Sequence, residues 1–502
     1  MIGRTARTVC ALHPVQVAWR LPRAVLSRLA PALPSGLGPP VRTQWSEAPV
    51  ALRRIAMAER LRARGRLDRL PRGSLLRAYE ECYGLELGAG EPDVPVGWQS
   101  PVATEAYPAS IRARAIAVAV RCGRRDLGPE LTRAARAVMI QPELHLLGNH
   151  VLENGFALMC AGAAAQGPEA NLWSAMGSFI LEWQLPAQFL LDGAHIEKSA
   201  SYHLSLTAGL LECIELARSS GQTVSSDFID IARRALGWIA AVQTPDGSYP
   251  LFNDAALDAA PSISDVLALG EAIGLRPKSV AKVTGCGELR LSLLEASGWA
   301  RLDVPGATVV VDVGPDATGF QPGHAHADGL GFEAWIGQER ALVDFGISSY
   351  QRGSERDETR ATRSHNTVEI AHENSCEVWS AFRVGRRGRG TVTAAGVTGD
   401  AVSLELTHDG YAWLSGAPRH CRAITVRPGA LEIHDRVTSG RQTCISRIRV
   451  NTQSAVRVRV TGADAIAEDR WHAVHGVPSP ADLYSTRFQA SDTSGARWLI
   501  EW

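Results

Sequence analysis

The sequence predicts a helical N-terminal region followed by a large antiparallel β-sandwich, and three observations point that way. From Ser46 to about Gly285, apolar residues recur at spacings of three and four, as at Ile111, Ala115, Ala119 and Val120, the period of one helical face. Around Glu288 the period changes to two, and short alternating or β-branched runs follow one another to the C-terminus. At 502 residues the chain is also too long for one compact core, so two domains are expected. Helices first and strands afterwards fit two stacked units, not interleaved βαβ units.

Residues 1–45 read as an extended arm or linker, because they are rich in Pro and Arg and end in LAPALPSGLGPPVRTQW; PVQVAWRLP within them has the makings of a packing surface. Residues 46–287 form the helical unit, with candidate helices at 48–64, 73–82, 110–122, 128–140, 150–165, 172–190, 199–218, 225–243 and 263–273. Short turns such as PDGSYP and GLRPKS join them, which favours antiparallel hairpins. No fixed-length repeat is visible, so a simple solenoid is disfavoured, and helix pairs curling into an incomplete α/α toroid fit the pattern. Residues 288–502 form the β unit. TVVVDV, GLGFEAWI, RALVDF, NTVEIA, VSLELTH, RAITVRP, ALEIHDRV, CISRIRV, AVRVRV and RWLIEW read as its strands, separated by Gly, Pro and Asp. The cleft between the units is the expected place for a ligand site.

Composition excludes several classes. The formal charge is zero, which leaves no global field to recruit nucleic acid or an anionic membrane. Lysine occurs only at 198, 278 and 282, so nearly all of the 52 basic residues are arginine. Guanidinium forks suit carboxylates and sulfates, although a GC-rich genome gives the same bias. The 9 cysteines form no CxxC pair and sit mostly in apolar runs, as expected of buried free thiols, not of a disulfide framework or zinc knuckle. No apolar run approaches the ~18 residues of a membrane span. The N-terminus, with arginines at 4, 7, 20 and 23, lacks the apolar core of a secretory signal, so a cytoplasmic address is the expectation from sequence.

The chemistry concentrates in 320–382, which holds His324, His326, Asp328, Asp344, His365 and His372. If the strand over 330–336 already begins at the histidines, His324 and His326 share a face. Asp344 ends a strand-like run at 340–345, and His365 opens another at 366–370. Two imidazoles and a carboxylate at strand ends suit a zinc-like ion; the alternative is loop histidines that never meet. In LLGNHVLENG, Asn149 and His150 stand at the start of an apolar helix, with Glu153 one turn along on the same face. An Asn in that position is commonly a cap. In DGAHIEKSASYH, Tyr202 falls in a helix, where a half-buried packing role is the usual one.

GHAHADGLGFE, LVDFG and SHNTVE, followed by Trp379, Phe382 and Arg383, resemble the C-terminal domain of the heparinase II/III family, polysaccharide lyases acting on acidic sugars. GNHxxEN, DGxHxExSxxYH and PDGSYPLFND are similar to segments of that family's helical domain, so the resemblance runs over roughly 140–385. It implies an incomplete α/α toroid before a β-sandwich, and an acidic polysaccharide or oligosaccharide as partner. It further implies Asn149 and His150 as neutralisers of the substrate carboxylate, Tyr202 and His324 as the catalytic base and acid, and His326, Asp344 and His365 as ligands of one divalent ion, zinc, in a structural role. Glu153, His195, Glu197 and Asn253 are then cleft or substrate-binding residues, and Tyr249 and Asp254 accompany Asn253. The resemblance also makes the periplasm an alternative address, and the oligomeric state stays open.

Eliminating across a 4-linked uronate needs a neutraliser for the C6 carboxylate, a base at C5 and an acid at O4. Which of Tyr202 and His324 is base depends on whether the C5 proton is syn or anti to O4. Two rivals stand beside this reading. One is a toroid glycoside hydrolase using a carboxylate pair from Glu153, Asp192 and Glu197; the other is a non-catalytic sugar-binding or assembly protein.

Overall fold

The structure, a computed structural model, describes residues 2–26, 105–121, 124–317 and 319–502. The helices expected at 48–64 and 73–82 lie outside the described residues.

Where composition predicts an extended arm, residues 2–26 instead form three short helices, α1 (Ile2–Cys10), α2 (Pro14–Ala18) and α3 (Arg20–Leu26). The local reason is a capping box: His13 Nδ1 accepts from Val15 N–H, Gln16 reaches back to the His13 N–H at 2.7 Å, and Pro14 begins the helix. The docking reason is tertiary. Gln16 Nε2 donates to the Leu146 carbonyl and Trp19 Nε1 to that of Pro142, both at 2.7 Å.

The helical unit continues through α4 (Ala106–Arg121), α5 (Gly128–Ile140), α6 (Asn149–Ala164), α7 (Pro168–Gln188), α8 (Ala200–Ser219), α9 (Ser226–Val242) and α10 (Ile263–Ala272). Ser225 and Ser262 cap α9 and α10 through their hydroxyls. The crossing of α6 and α7 is close because glycines line it: a Cβ at Gly177 would run into the backbone of Met159 and Gly155. A short helix, α11 (Ser354–Thr359), lies within the β unit.

The β unit contains two facing antiparallel sheets. The larger one sets β1 (Lys282–Cys286), β2 (Leu289–Leu294), β3 (Trp299–Val304), β4 (Ala307–Asp312), β5 (Phe332–Ile336) and β6 (Glu339–Leu342) side by side in chain order. It then continues through three later strands, Thr443–Asn451, Val477–Gln489 and Ala465–Val474. The smaller sheet contains Gly390–Thr398, Ala401–His408, Arg419–Arg427, Ala430–Thr438, Ser491–Glu501 and Arg459–Thr461. Leu302, Val309 and Phe332 from the first sheet meet Ile424, Ile433 and Trp498 from the second in one core. The other face of the larger sheet packs on the helices, where Trp299 meets Trp238 and Phe252 at centroid separations of 5.0 and 5.1 Å. Burying one such indole removes about 150–250 Å² from water, roughly 4–6 kcal/mol as an upper bound.

This layering explains the sequence. β4 and β5 are buried on both faces, so TVVVD reads as a continuous apolar run instead of an alternating one. The strand read over 330–336 starts at Phe332, so it does not begin at the histidines, and His324 and His326 sit in irregular backbone before it.

A buried ion pair pins the two units together. Lys198, with φ 53°, donates to Asp312 Oδ1 and Oδ2 at 2.8 and 3.0 Å and to the Pro315 carbonyl at 2.7 Å. Removing one member of such a pair strands a buried charge, so Lys198→Met should lower stability by about 3–5 kcal/mol, while Lys198→Met with Asp312→Asn recovers most of it. Denaturant titration of both variants checks this; equal losses would show that the charge pairing is not what holds the junction.

Candidate active site

Asp254 is the centre of the site. It follows PDGSYPLFN on the helical side of the cleft, and its buried carboxylate accepts from His324 Nδ1 and His326 Nε2, each at 2.8 Å. The Arg356 fork closes on the same carboxylate at 2.5 and 2.7 Å. Burial opposes the charged form of Asp254, but Arg356 and the two imidazoles prevail and hold its pKa well below the usual carboxylate range. An ionised carboxylate only accepts, so both imidazoles must donate to it, which fixes their tautomers when neutral. His324 then keeps its lone pair on Nε2, which faces Glu197 Oε2 at 3.4 Å. Burial pushes His326 down to about 4, so it is neutral near pH 7.

Tyr202 lies against His324, ring centroids 4.1 Å apart, and its hydroxyl donates to that of Tyr350 at 3.3 Å. Desolvation, with Tyr350 next, pushes the Tyr202 phenol well above its ordinary value, so it keeps its proton in this state.

The start of α6 supplies the facing wall. Gly148, with φ 49°, precedes the helix, and a Cβ there would overlap the Glu197 carboxylate and the Gln321 amide. The bare glycine lets Glu197 Oε1 accept the Asn149 N–H at 3.0 Å. Asn149 therefore stands one position inside the helix, not at the cap, and its side chain faces the cavity without a hydrogen-bond partner among the described residues. His150 packs on Tyr107 at a centroid separation of 4.2 Å, with Nδ1 3.2 Å from Glu143 Oε1. Burial works against its charged form, yet Glu143, with help from Glu197 and Glu105, raises its pKa.

Asn149, His150, Tyr202 and His324 all line one cavity of about 1430 Å³. That exceeds the roughly 300–1,000 Å³ of a typical small-molecule pocket and suits an extended ligand. Other expected site residues stand behind it. Glu153 is one turn deeper in the helical core and binds Arg114 at 2.6 Å, and that arginine also holds Glu212 at 2.7 Å. A direct sugar contact is therefore not open to Glu153, and its expected place in the cleft is corrected to that of a buried counter-ion. His195 is likewise buried and absent from the cavity wall, its Nε2 paired with Gln188 Oε1 at 2.9 Å. Asn253, at φ 58°, donates to the Lys198 carbonyl and accepts the His326 N–H at 2.9 Å, fixing the loop instead of facing the cavity. Glu197 stands between Asn149 and His324, as described.

His326, Asp344 and His365 come together, while His372 stays exposed. The rings of His326 and His365 are 5.3 Å apart, and His365 Nδ1 meets Asp344 Oδ2 at 2.8 Å. His326 Nδ1, His365 Nε2 and both oxygens of the neighbouring Asp328 are buried without a hydrogen-bond partner. Burial pushes Asp328 up to about 7. In donor chemistry this cluster fits a zinc-like ion. Among the described residues, however, no three His, Cys, Asp or Glu side chains already stand in an arrangement able to hold one. Arg356, Tyr350 and Glu143 went unnoticed in the sequence. One arginine among many carries no local signal, and Glu143 lies outside the GNHxxEN string.

The comparisons with known proteins agree with this architecture. Residues 132–270 match the heparinase II/III N-terminus model, and residues 288–500 match the heparinase II/III-like, C-terminal model. The chain belongs to the heparinase II/III family. A heparin-sulfate lyase from Bacteroides stercoris is 24% identical over 251 residues, covering 45% of this chain and 36% of that protein. Another from Bacteroides thetaiotaomicron is 29% identical over 117 residues, covering 21% of this chain and 17% of that protein. The chain thus matches well under half the length of these curated relatives. Among solved structures, heparinase III superposes with a TM-score of 0.64 at 15% identity, covering 95% of this chain and 88% of that one. A heparan sulfate lyase from Pedobacter heparinus superposes at 0.54 with 14% identity, covering 95% and 87%. Both show the toroid followed by the β-sandwich as the fold of this family member.

The depressed pKa of Asp254 makes a pH prediction. Its stabilising effect is complete above the unfolded value of about 4 and is lost as pH falls through the lower folded value. Asp254→Asn should therefore melt well below wild type near neutral pH, and the gap should narrow on acidification below about pH 4. Thermal melts of both proteins across that range check it; a gap independent of pH would mean that the Asp254 charge is not the stabilising element.

Proposed function

We propose that this protein is a polysaccharide lyase that cleaves a uronate-containing acidic polysaccharide by β-elimination. The observation that carries the reading is the meeting of Tyr202 and His324, from different units, opposite Asn149 and His150 in one large cavity. The Asn149 amide and a protonated His150 would meet the C6 carboxylate and stabilise the enediolate that forms there. His324 Nε2, its tautomer set by Asp254, would remove the C5 proton. The electron pair of the C5–H bond becomes the C4–C5 double bond, the C4–O4 bond breaks, and O4 takes the proton of Tyr202. The raised pKa of Tyr202 supports the acid role over the base role for this residue. The free enzyme is restored when the His324 imidazolium loses its proton and Tyr202 regains one.

The carboxylates expected to supply the hydrolase alternative's pair do not come together as one. Glu153 is bound to Arg114, and Asp192 Oδ2 accepts from Ser297 N and Oγ at 2.7 and 2.8 Å, so neither is free to act with Glu197. The relatives' names point to heparan-like chains as the first substrates to try, with alginate-like, hyaluronan-like and capsular uronates after them. A screen over such polymers should give products with the ultraviolet absorbance of an unsaturated uronate. On the polymer that is cleaved, Tyr202→Phe and His324→Ala should each lower kcat by about 10²–10⁴ with folding intact. Saturated products, or near-normal rates in either variant, would refute the assignment.

The reading includes one divalent ion, zinc, held by His326, Asp344 and His365. Its support is the pair of unpartnered imidazole nitrogens in a buried cluster. When bound, the ion would supply a fixed positive charge that locks the loops of the β unit; the proton transfers belong to the residues named above. Elemental analysis of protein purified without added metal should find about one ion per chain, and His326→Ala should lose it together with thermal stability. A metal-free wild type whose melting is unaffected by chelators would return these residues to loop support.

A further inference from the structure

We propose that helices α1–α3 form a third wall of the substrate cleft, and that Arg20 and Arg23 on it seat an oxyanion, carboxylate or sulfate, of a sugar residue next to the one being cleaved. This rests on the lyase reading and goes beyond it, because it assigns a subsite to a segment that neither family model covers.

The segment spans both units. On the β side, Arg7 Nη2 and Nε donate to Glu377 at 2.6 and 2.9 Å. Thr8 Oγ1 donates to the Val384 carbonyl and accepts from Trp379 Nε1, both at 3.1 Å. On the helical side, Gln16 and Trp19 bind the Leu146 and Pro142 carbonyls, just before Asn149. His13 lies between the two, with Phe320 and Trp183 at ring separations of 5.7 and 6.5 Å. These contacts leave Arg20 and Arg23 facing the same cavity as Asn149, His150, Tyr202 and His324.

Among the described residues neither arginine has its guanidinium hydrogen-bonding capacity filled. The Arg20 side chain makes no hydrogen bond or ion pair among the described residues. Arg23 has Glu105 and Glu143 each at 3.9 Å, beyond hydrogen-bond reach, and its Nε is buried without a partner. A guanidinium with unmet planar donors is matched by a planar or tetrahedral oxyanion. The seat adjoins the catalytic wall: Glu143, 3.9 Å from Arg23, is 3.2 Å from His150. The positive field of Arg23 and Arg20 at this end also acts with burial to keep the neighbouring His145 down at about 4. An anionic sugar chain drawn across Asn149 and His150 meets these two cations next.

The test uses the full chain carrying Arg20→Ala with Arg23→Ala, and a second variant, Arg23→Lys. Binding of uronate oligosaccharides with and without sulfate esters is measured by calorimetry in a Tyr202→Phe background, and KM and kcat in the native background. The double variant should raise Kd about tenfold or more, with KM rising more than kcat falls. Loss confined to the sulfated ligands identifies the oxyanion as sulfate, and loss on both kinds identifies it as carboxylate. Arg23→Lys should weaken binding while melting like wild type, because it keeps the charge and loses the fork. Kd values within twofold of wild type on both ligands overturn the seat, as does a wild type that binds neither. Arginine-dependent binding without any unsaturated product would sink the elimination reading and leave the seat standing.

Discussion

A buried carboxylate shared by four donors holds this molecule's working parts together. Asp254 belongs to the helical unit, whereas His324, His326 and Arg356 belong to the β unit. Desolvating a lone carboxylate costs several kcal/mol, so Asp254 is tolerable only where the Arg356 fork and both imidazoles reach it. The dependence is mutual. Without Asp254 the histidines lose their tautomer and aim, and the Arg356 charge is left buried. Docking of the two units and assembly of the site are therefore one event.

Other contacts across the junction serve the same loop. Asn253, next to Asp254, takes the His326 N–H, and Lys198 reaches Asp312 and the Pro315 carbonyl. Glu197, beside Lys198, bridges the start of α6 to His324. Residues 197, 198, 253 and 254 thus clamp the backbone around the histidines from several sides. That is how irregular chain, not a strand, holds two imidazoles in fixed orientation. The apolar layer beneath, with Trp238, Phe252 and Trp299 in contact, gives the clamp a rigid base.

Much of the fold was legible because the two hydrophobic periods are strong and are separated along the chain. The strings that line the cavity were legible because each is a local pattern of several residue types. What failed was whatever depends on depth or on distant partners. Glu153 has the right spacing from His150, but one turn along α6 carries it from the cavity wall into the core beside Arg114. Asn149 looks like a cap from sequence; the positive φ of Gly148 and the carboxylate of Glu197 serve that end of the helix instead. The helices at 2–26 were hidden because they bury little of their own surface and are held by carbonyls and side chains far away in sequence. Arg356 has no motif, and its role exists only once Asp254 is beside it.

The contact between α1 and the β unit has a consequence for biosynthesis. Arg7 and Glu377 are separated by 370 residues. At about 5–20 residues per second, a ribosome takes roughly 20–70 s to make the intervening chain. A nine-residue helix has little stability alone, so α1 has no fixed position during that interval. The toroid can form meanwhile around its own core, and α2 can dock on it, but α1 can take its place in the wall only after the β unit has emerged. A ribosome stalled within the β unit would therefore leave a folded toroid with an open cleft, and slow synthesis over that region would lengthen the exposure of the apolar helical face around Trp238 and Phe252 to chaperones and proteases.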